Sequence, residues 1–490
     1  MMQPEEDLEG LRIALLTEGC YPYLTGGVST WCDQLIRGLP EHTFEVVAIT
    51  GRADESPRLV LPGNVDVLRA VPLWGWTPPA ELPATERASL YAKLCPFLET
   101  LMSPDVPQKQ FDDGLRFLSG YARRANLSSA LRSREVAQVL GEVWSLYRPD
   151  PLSVFEVLAA LELLEHSLRP LSAPPIKADI CHAVSNGLPS MLALASKWAY
   201  GTPFVMSEHG VYLRERYLAF RELSCPWPVK VIILAFFRRL THTAYDQADL
   251  IAPVNVYNQR WQLEHGADPD VIVTAFNGVE ASDYPVTDAE PDVPTVVWVG
   301  RIDPLKDLIT LVDGFAQLRQ RIPEARLRLF GPTPPGNEDY EHAVRQRVAL
   351  QGLDDAVTFE GPISPVSAAY NSAHVVALTS ISEGLPYTII ESMMCGRATV
   401  STEVGGAPEV VGDAGLLVQV RNPSELADAF ALLLTDDALR RDLAARGRER
   451  AMTYFRVDQM LSVFRGIYGT VARSNIDNVD VAHWTHAGSG

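Results

Sequence analysis

The sequence has few cysteines, no long apolar run and too little positive charge to balance its acids. Its six cysteines, in 490 residues, show neither a CxxC pair nor zinc-ligand spacing. We therefore expect reduced thiols in a cytosolic protein rather than a disulfide framework or a zinc site. The most apolar stretch, residues 229–237, is far shorter than the roughly 20 residues of a membrane-spanning helix. The acidic first residues do not resemble a signal peptide, so we expect a cytoplasmic protein.

The net charge is strongly negative. There are 42 Lys and Arg residues against 61 Asp and Glu residues, which gives a formal charge of -19. A surface of this sign repels polyphosphates, so we do not expect nucleic acid as a partner. A small anionic ligand would need a pocket in which cations are concentrated. The 47 % of hydrophobic residues excludes a disordered chain, and the length predicts two to four domains.

Apolar runs of strand length alternate with helical patterns in two series. In the first, runs at 11–17 and 44–50 flank a helical pattern, and this βαβ unit predicts a parallel sheet. The second series begins at residue 295. Between about 84 and 172 the spacing is helical only, so we expect a helical insertion. Ligands of such doubly wound sheets bind at the carboxyl ends of the strands.

These patterns predict an α/β protein with two Rossmann-like, doubly wound domains and a ligand in the cleft between them. The predicted segments are an N-terminal domain at 1–288 with the insertion, a C-terminal domain at 289–455, a helix at 456–475 and a tail at 476–490.

Two candidate features lie in the first series. Gly26 and Gly27 follow the first strand, where they permit the backbone to approach a phosphate or a sugar; a plain tight turn explains them equally well. His209 follows another strand and can donate a hydrogen bond to a sugar hydroxyl or a backbone carbonyl. A lone histidine is more often structural, but the position after a parallel strand favours function. His182, also at a strand end, is a weaker candidate.

Two cations mark the start of the second series. Arg301 leaves the end of a strand, and Lys306 is predicted to open the next helix, where a cation is unfavourable for the helix dipole. A bound anion would explain both placements. A solvated charged loop is the alternative, and in so acidic a chain we favour the anion site.

Two carboxylates flank a helix start at Pro386. Glu383 precedes the helix and Glu391 lies on its second turn, so Glu391 could hold a ribose diol and Glu383 could face a sugar. The backbone N–H groups of Leu385, Tyr387 and Thr388 could meet phosphate or sugar oxygens. From the spacing alone, two unrelated carboxylates would be the better interpretation. A further pair, Gly405 and Gly406, is most simply a strand-to-helix connection.

Taken together, these motifs resemble the retaining GT-B glycosyltransferases of family 4. The resemblance covers nearly the whole chain apart from the insertion, and the opening segment and the Ser-Glu-His-Gly run are most similar to the PelF-like subgroup of exopolysaccharide biosynthesis. The motifs that carry it, in order, are Gly26-Gly27, Ser207-Glu208-His209-Gly210, Asn277-Gly278-Val279, Val299-Gly300-Arg301 with Lys306, Glu383 to Glu391, and Gly405-Gly406.

The resemblance implies a UDP-sugar donor held mainly by the C-terminal domain, and no cofactor. No DxD-type acidic pair stands at a strand end, so we expect the cations to replace a metal. Arg301 and Lys306 would hold the diphosphate, Glu391 the ribose and Glu383 a sugar hydroxyl. The same resemblance assigns the base to the backbone near Ile363 and the N-terminal contributions to His209, Gly26 and Gly27, beside the N–H contacts already expected at Tyr387 and Thr388.

The implied reaction is metal-independent transfer of a hexose, with retention, to a growing exopolysaccharide or another glycan. A membrane-bound polysaccharide synthase or export complex is an implied partner. The resemblance also implies that the last helix crosses back to the first domain. The chain departs from the family pattern at Pro386, Asp307 and Ala398, which affects the exact sugar contacts. Two other classes stay open: a UDP-sugar epimerase of the same shape, and a non-catalytic nucleotide-sugar-binding component.

Overall fold

The fold consists of two compact units, each built on one parallel sheet. The computed structural model describes residues 10–74, 84–287 and 289–474, with the backbone alone at 84–89, 222 and 474. The N-terminal unit contains the described residues up to 253, together with 259–273 and 464–474. The C-terminal unit contains residues 254–258 and the described part of 274–463.

The N-terminal sheet has six parallel strands in the order β3-β2-β1-β4-β5-β6. This is the doubly wound order, in which the chain first builds outwards on one side of β1 and then on the other. The inner strands are continuous apolar runs because helices cover both faces of such a sheet. The strands are β1 Arg12–Glu18, β2 Thr43–Arg52, β3 Val65–Trp74, β4 Ile180–Ala183, β5 Phe204–Glu208 and β6 Leu250–Pro253.

Helices connect these strands, and the described part of the insertion between β3 and β4 contains five of them. The insertion packs into the same hydrophobic core as the sheet, and the ring of Phe111 lies 5.0 Å from Phe97 and 6.0 Å from Phe236. The helices are α1 Gly27–Gly38, α2 Ala84–Met102, α3 Gln108–Ala122, α4 Leu127–Leu131, α5 Arg134–Tyr147, α6 Val154–Leu168, α7 Leu188–Tyr200, α8 Tyr212–Glu222, α9 Trp227–Gln247 and α10 Val256–Glu264.

The C-terminal sheet repeats the same topology, with the order β12-β11-β10-β7-β8-β9 and parallel pairing throughout. Its strands are β7 Thr295–Val299, β8 Arg326–Phe330, β9 Val357–Gly361, β10 Val375–Leu378, β11 Ala398–Thr402 and β12 Leu416–Val418. The helices that follow are α11 Leu308–Arg319, α12 Glu338–Leu350, α13 Ser367–Asn371, α14 Tyr387–Met394, α15 Ala407–Val411, α16 Pro423–Thr435, α17 Asp437–Tyr454 and α18 Val457–Ser474.

The predicted fold class, two Rossmann-like units with a helical insertion in the first, is confirmed. The short apolar run Val271-Ile272-Val273 also predicts a strand, and this prediction is wrong: Val271 ends a 3-10 turn, and the segment contributes a single bridge between Ile272 and Ile251. The 3-10 turn takes up the first residue of the run, so too few residues remain for a ladder. The predicted tail at 476–490 lies outside the described residues. Among the described helices, none is long and apolar enough to cross a membrane.

Candidate active site

The candidate site of the C-terminal unit lies at the switch point of its sheet. Strands β7 and β10 are neighbours, but the chain continues from β7 towards β8 and from β10 towards β11. Loops that diverge in this way leave a crevice at the carboxyl ends of the two strands, where ligands of doubly wound sheets bind. The loop after β7 carries Arg301 and Lys306, and the loop after β10 carries Glu383.

An ion pair joins these two loops. The Lys306 Nζ lies 2.6 Å from the Glu383 Oε1, and the Ser380 hydroxyl donates to the same oxygen over 2.5 Å. The side chains of Lys306 and Glu383 are 22 % and 13 % exposed. Two hydrogen bonds to backbone carbonyls also hold the loops together. The Thr379 hydroxyl donates to the Lys306 carbonyl, and the Ile381 N–H donates to the Leu305 carbonyl. The pair is therefore fixed in place, with the Glu383 Oε2 left for another partner.

The sequence predicts that Lys306 opens a helix, and this prediction is wrong. Lys306 ends a 3-10 turn, and α11 begins at Leu308 with Asp307 as its N-cap. Asp307 has a φ of 47°, in the left-handed region that favours glycine. Its carboxylate compensates by accepting bonds from the N–H and the hydroxyl of Thr310. Aspartate tolerates this conformation and caps the helix, so the departure at Asp307 leaves the loop intact.

Arg301 is exposed and has no ion-pair or hydrogen-bond partner among the residues described. It follows Gly300, whose carbonyl oxygen would lie only 1.7 Å from a Cβ at residue 331. Glycine at 331, with a φ of 134°, thus permits the loops after β7 and β8 to touch. Arg301 leaves this tight crossing with its guanidinium available for an anion.

Glu391 lies on α14 as the sequence predicted, and two tyrosines hold it. The Tyr370 hydroxyl donates to its Oε2 over 2.5 Å, and the Tyr284 hydroxyl is a second donor. Burial raises the pKa of this carboxyl above its usual range, although both tyrosine bonds act in the opposite direction. No cation neutralises Glu391 among its recorded partners, so it is an acceptor with remaining capacity for a neutral hydroxyl.

The sequence favours a simple strand-to-helix connection for the glycine pair after β11. In the structure the pair also contacts the loop that carries Glu383. A Cβ at Gly405, where φ is 54°, would lie 1.9 Å from the Glu383 carbonyl oxygen. The Gly406 N–H donates to the Gly384 carbonyl over 2.7 Å, and Asn255 donates to the same oxygen over 2.9 Å. The pair therefore supports the backbone that carries Glu383.

The remaining candidates of this unit are placed at the same edge of the sheet. Tyr387 and Thr388 are the first residues of α14, and the Thr388 hydroxyl donates to the Val299 carbonyl over 3.3 Å. Ile363 follows β9 and is 38 % exposed. Their proposed contacts to a nucleotide stay predictions.

In the N-terminal unit, Gly26 and Gly27 begin α1 directly after the loop that follows β1. Gly26 is the N-cap in an extended conformation (φ 161°, ψ 174°), and no side chain caps the helix. A Cβ at Gly26 would meet nothing within 4 Å, so the fold of this unit does not itself require glycine there. The exposed helix start is compatible with either interpretation of the pair.

His209 follows β5, and its Nε2 is enclosed without a partner among the described residues. Burial lowers its pKa to about 4, so the imidazole is neutral at pH 7. His182 is fully buried, and its two ring nitrogens lie 2.7 Å from the Tyr468 hydroxyl and 2.8 Å from the Ser207 hydroxyl. With both nitrogens occupied, His182 is a structural residue, whereas the His209 Nε2 has no hydrogen-bond partner among the described residues.

Sequence reasoning missed four residues that support the site: Ser380, Tyr284, Tyr370 and Asn255. Tyr284, Tyr370 and Asn255 act on Glu391 or on the backbone beside Glu383 from separate parts of the chain, whereas Ser380 acts on Glu383 from three residues away, and no motif marks any of them. Among the described residues, no group of three or more His, Cys, Asp or Glu side chains could hold a metal ion. The six cysteines are all unpaired, and three of them are buried.

Two family models match the chain. One, described as a domain of unknown function (DUF3492), covers residues 11–270, just over half of the sequence. The chain belongs to the DUF3492 family. The second, described as Glycosyl transferases group 1, covers residues 293–436. The matched segment lies within the C-terminal unit of this DUF3492 protein and contains the Lys306–Glu383 pair.

Curated relatives of this DUF3492 protein are glycosyltransferases and a related synthase. The D-inositol 3-phosphate glycosyltransferase of Corynebacterium glutamicum is 30 % identical over 255 residues, which are 47 % of this chain and 60 % of the relative. The N-acetyl-alpha-D-glucosaminyl L-malate synthase of Bacillus anthracis is 28 % identical over 195 residues, 39 % of this chain and 49 % of the relative. The chain spans about half the length of the curated relatives it matches.

Solved structures share the fold at low identity. Alr3699/HepE of Anabaena, in complex with UDP, has a TM-score of 0.63 at 16 % identity and covers 94 % of this chain and 100 % of its own. Sucrose-phosphate synthase of Thermosynechococcus elongatus has a TM-score of 0.60 at 17 % identity, with 94 % and 99 % covered. These similarities establish the GT-B type of fold with its two Rossmann-like domains.

Proposed function

We propose that this protein is a retaining, metal-independent glycosyltransferase of the family 4 type, which transfers a hexose from a UDP-sugar to a glycan acceptor in the cytoplasm. The observation that carries the proposal is the Lys306–Glu383 pair at the switch point of a group 1 glycosyltransferase domain. At that place the cation can bind the diphosphate of a sugar nucleotide, and the carboxylate can bind a hydroxyl of its sugar. A structural neighbour has been solved with UDP and glucose.

In this proposal each side chain has a role that follows from its charge and surroundings. Arg301, exposed and without a partner, binds the diphosphate, and Lys306 binds it from the adjacent loop. Glu391 accepts from the ribose hydroxyls, because its two tyrosine partners leave acceptor positions open. Glu383 accepts from a donor-sugar hydroxyl through the oxygen that Lys306 and Ser380 do not use. The backbone near Ile363 meets the base.

The reaction then follows from the charges that develop. The bond between the anomeric carbon and the β-phosphate oxygen breaks, and its electron pair stays on the phosphate, where Arg301 and Lys306 stabilise it. The sugar gains positive character, which Glu383 stabilises. The acceptor hydroxyl bonds to the anomeric carbon on the same face, and its proton passes to the departing phosphate. A single well-placed contact of this kind is worth about 3–4 kcal/mol.

His209, with Gly26 and Gly27, is proposed to supply the contributions of the N-terminal unit. A neutral imidazole with an unpaired nitrogen can donate to or accept from a sugar hydroxyl without adding charge. The PelF-like resemblance of the opening segment and of the run around His209 supports an exopolysaccharide as the acceptor. We propose the membrane-bound synthase or export complex of that pathway as the partner.

The test is a screen of nucleotide sugars by UDP release, with and without oligosaccharide acceptors, in the presence of EDTA. We expect release from at least one UDP-sugar, and an α-linked product from an α-linked donor. A UDP-sugar that is isomerised without an acceptor would instead identify an epimerase. Tight binding of UDP-sugars with no turnover of any of them would identify a non-catalytic binding protein.

A further inference from the structure

A cluster of rings lies beneath His209 in the N-terminal unit, and its members come from four distant parts of the chain. Trp31 on α1 is fully buried at its centre. Its ring centroid lies 4.7 Å from that of His209, 5.8 Å from that of His182 and 5.3 Å from that of Phe464, each with an edge-to-face geometry. Edge-to-face pairs in this range are attractive and directional. The indole of Trp31 therefore limits the positions that the His209 ring can adopt.

The last helix, α18, closes the other side of this cluster. Phe464 stacks on His182 with centroids 5.6 Å apart, and the Tyr468 hydroxyl lies 2.7 Å from the His182 Nδ1. Arg465, between them, donates to the Glu41 carboxylate over 2.6 Å. These contacts attach the second half of α18 to α1 and to β4.

The chain of contacts leads from α18 to the candidate histidine through buried groups only. Phe464 is 1 % exposed, and Trp31, His182 and Tyr468 are 0 % exposed. Buried rings of this kind are closely packed, with few voids between them. Removal of one ring therefore leaves a cavity into which its neighbours can reorient. The His209 Nε2, in contrast, has no partner among the described residues that would fix the ring by a hydrogen bond.

We propose that Trp31 is a positioning residue which, held in place by Phe464 of the last helix, fixes the ring of His209 for the transfer reaction. The inference rests on the proposed function, because it assigns a purpose to His209 in sugar transfer. It adds a residue that no motif indicates and assigns a catalytic consequence to helix α18. Trp31 itself touches no substrate in this proposal.

The test is a double-mutant cycle on UDP release from UDP-glucose and UDP-N-acetylglucosamine. Trp31→Leu removes the ring, and Trp31→Phe, the conservative control, keeps an aromatic edge. We expect Trp31→Leu to lower kcat about tenfold while the donor KM stays within about twofold, and Trp31→Phe to recover most of the loss. In a His209→Ala background, Trp31→Leu should cost less than about twofold more, since both substitutions remove the same function.

Independent losses that multiply in the double variant, or an effect on KM alone, would overturn the proposal. A parent protein that releases UDP from none of the nucleotide sugars would overturn the proposed function instead. Histidine-selective NMR tests separately whether Trp31 and Phe464 fix the ring of His209. We expect the His209 ring signals to shift or broaden in Phe464→Leu, while the signals of exposed His342 stay unchanged. Unchanged His209 signals in both Phe464→Leu and Trp31→Leu would contradict the proposal whatever the activity.

Discussion

Replacing Glu383 by Gln separates the two roles that the switch-point pair combines. In the structure the Glu383 Oε1 accepts from both Lys306 and Ser380, at 2.6 and 2.5 Å. The carboxylate therefore competes with any phosphate for the Lys306 ammonium. Glutamine keeps the shape and an acceptor oxygen but removes the charge. UDP affinity should then stay the same or rise, while turnover loses the stabilisation of positive character on the sugar.

The expected size of the loss follows from the type of contact. One charge-stabilising contact in an enclosed site is worth about 3–4 kcal/mol, so kcat should fall at least about a hundredfold. Isothermal titration with UDP and steady-state UDP release measure the two quantities on the same sample. Asp313→Asn is the matched control, because Asp313 pairs with Arg347 in a similarly half-buried ion pair between α11 and α12. It should change neither quantity.

Two results would refute this reasoning. Transfer at the parent rate by Glu383→Gln would show that the carboxylate does not stabilise the sugar. A tenfold loss of UDP affinity in the same variant would show that Glu383 orders Lys306 for the phosphate rather than competing with it. Lys306→Ala is the complementary variant, and it should weaken UDP binding and lower kcat together.

Three further predictions concern the metal, the first sheet and the helix cap. In the proposed site Arg301 and Lys306 supply the positive charge for the phosphate, so UDP should raise the melting temperature equally in EDTA and in magnesium, and a shift seen only with metal would contradict this. Burial raises the pKa of Glu208 to about 7, so the folded protein keeps a proton that the unfolded chain loses near pH 4.5. The stabilisation by this proton is present at acid pH and is lost as the pH rises through 7. In denaturant titrations Glu208→Gln should remove up to about 3 kcal/mol of this pH dependence, whereas an unchanged pH profile would exclude a buried proton. Asp307 has a positive φ and caps α11 through its bonds to Thr310. Its replacement by Gly should lower the free energy of unfolding by at most about 1 kcal/mol, and its replacement by Ala should lower it more, as measured by chemical unfolding. Equal losses in the two variants would show that backbone strain is not involved.

The strands were the most predictable feature, because buried parallel strands are continuous apolar runs bounded by turn residues. The predicted runs at 11–17 and 44–50 correspond to β1 Arg12–Glu18 and β2 Thr43–Arg52, and the second series begins with β7 at Thr295. The positions of the candidate residues after the strands followed for the same reason. A strand's end is encoded locally, and the sheet then places that end at the binding edge.

The contacts within the site could not be predicted, because they join residues far apart in sequence. The partner of Lys306 is 77 residues away, and the tyrosine that holds Glu391 from α13 is 21 residues away. His182 and Tyr468 are 286 residues apart. Nothing in the local pattern distinguishes Tyr370 from any other buried tyrosine. The left-handed backbone at Asp307 was also hidden, since aspartate is a common helix cap in ordinary conformations.

A crystal structure of the complex with UDP tests the central claim most directly. We expect the diphosphate within hydrogen-bond distance of the Arg301 guanidinium and the Lys306 ammonium, with ribose hydroxyls on the Glu391 carboxylate beside Tyr370. Lys306 should have moved at least partly from Glu383 to the phosphate. A UDP molecule bound away from the carboxyl ends of β7 and β10, with the Lys306–Glu383 pair intact and Arg301 still in solvent, would contradict the account.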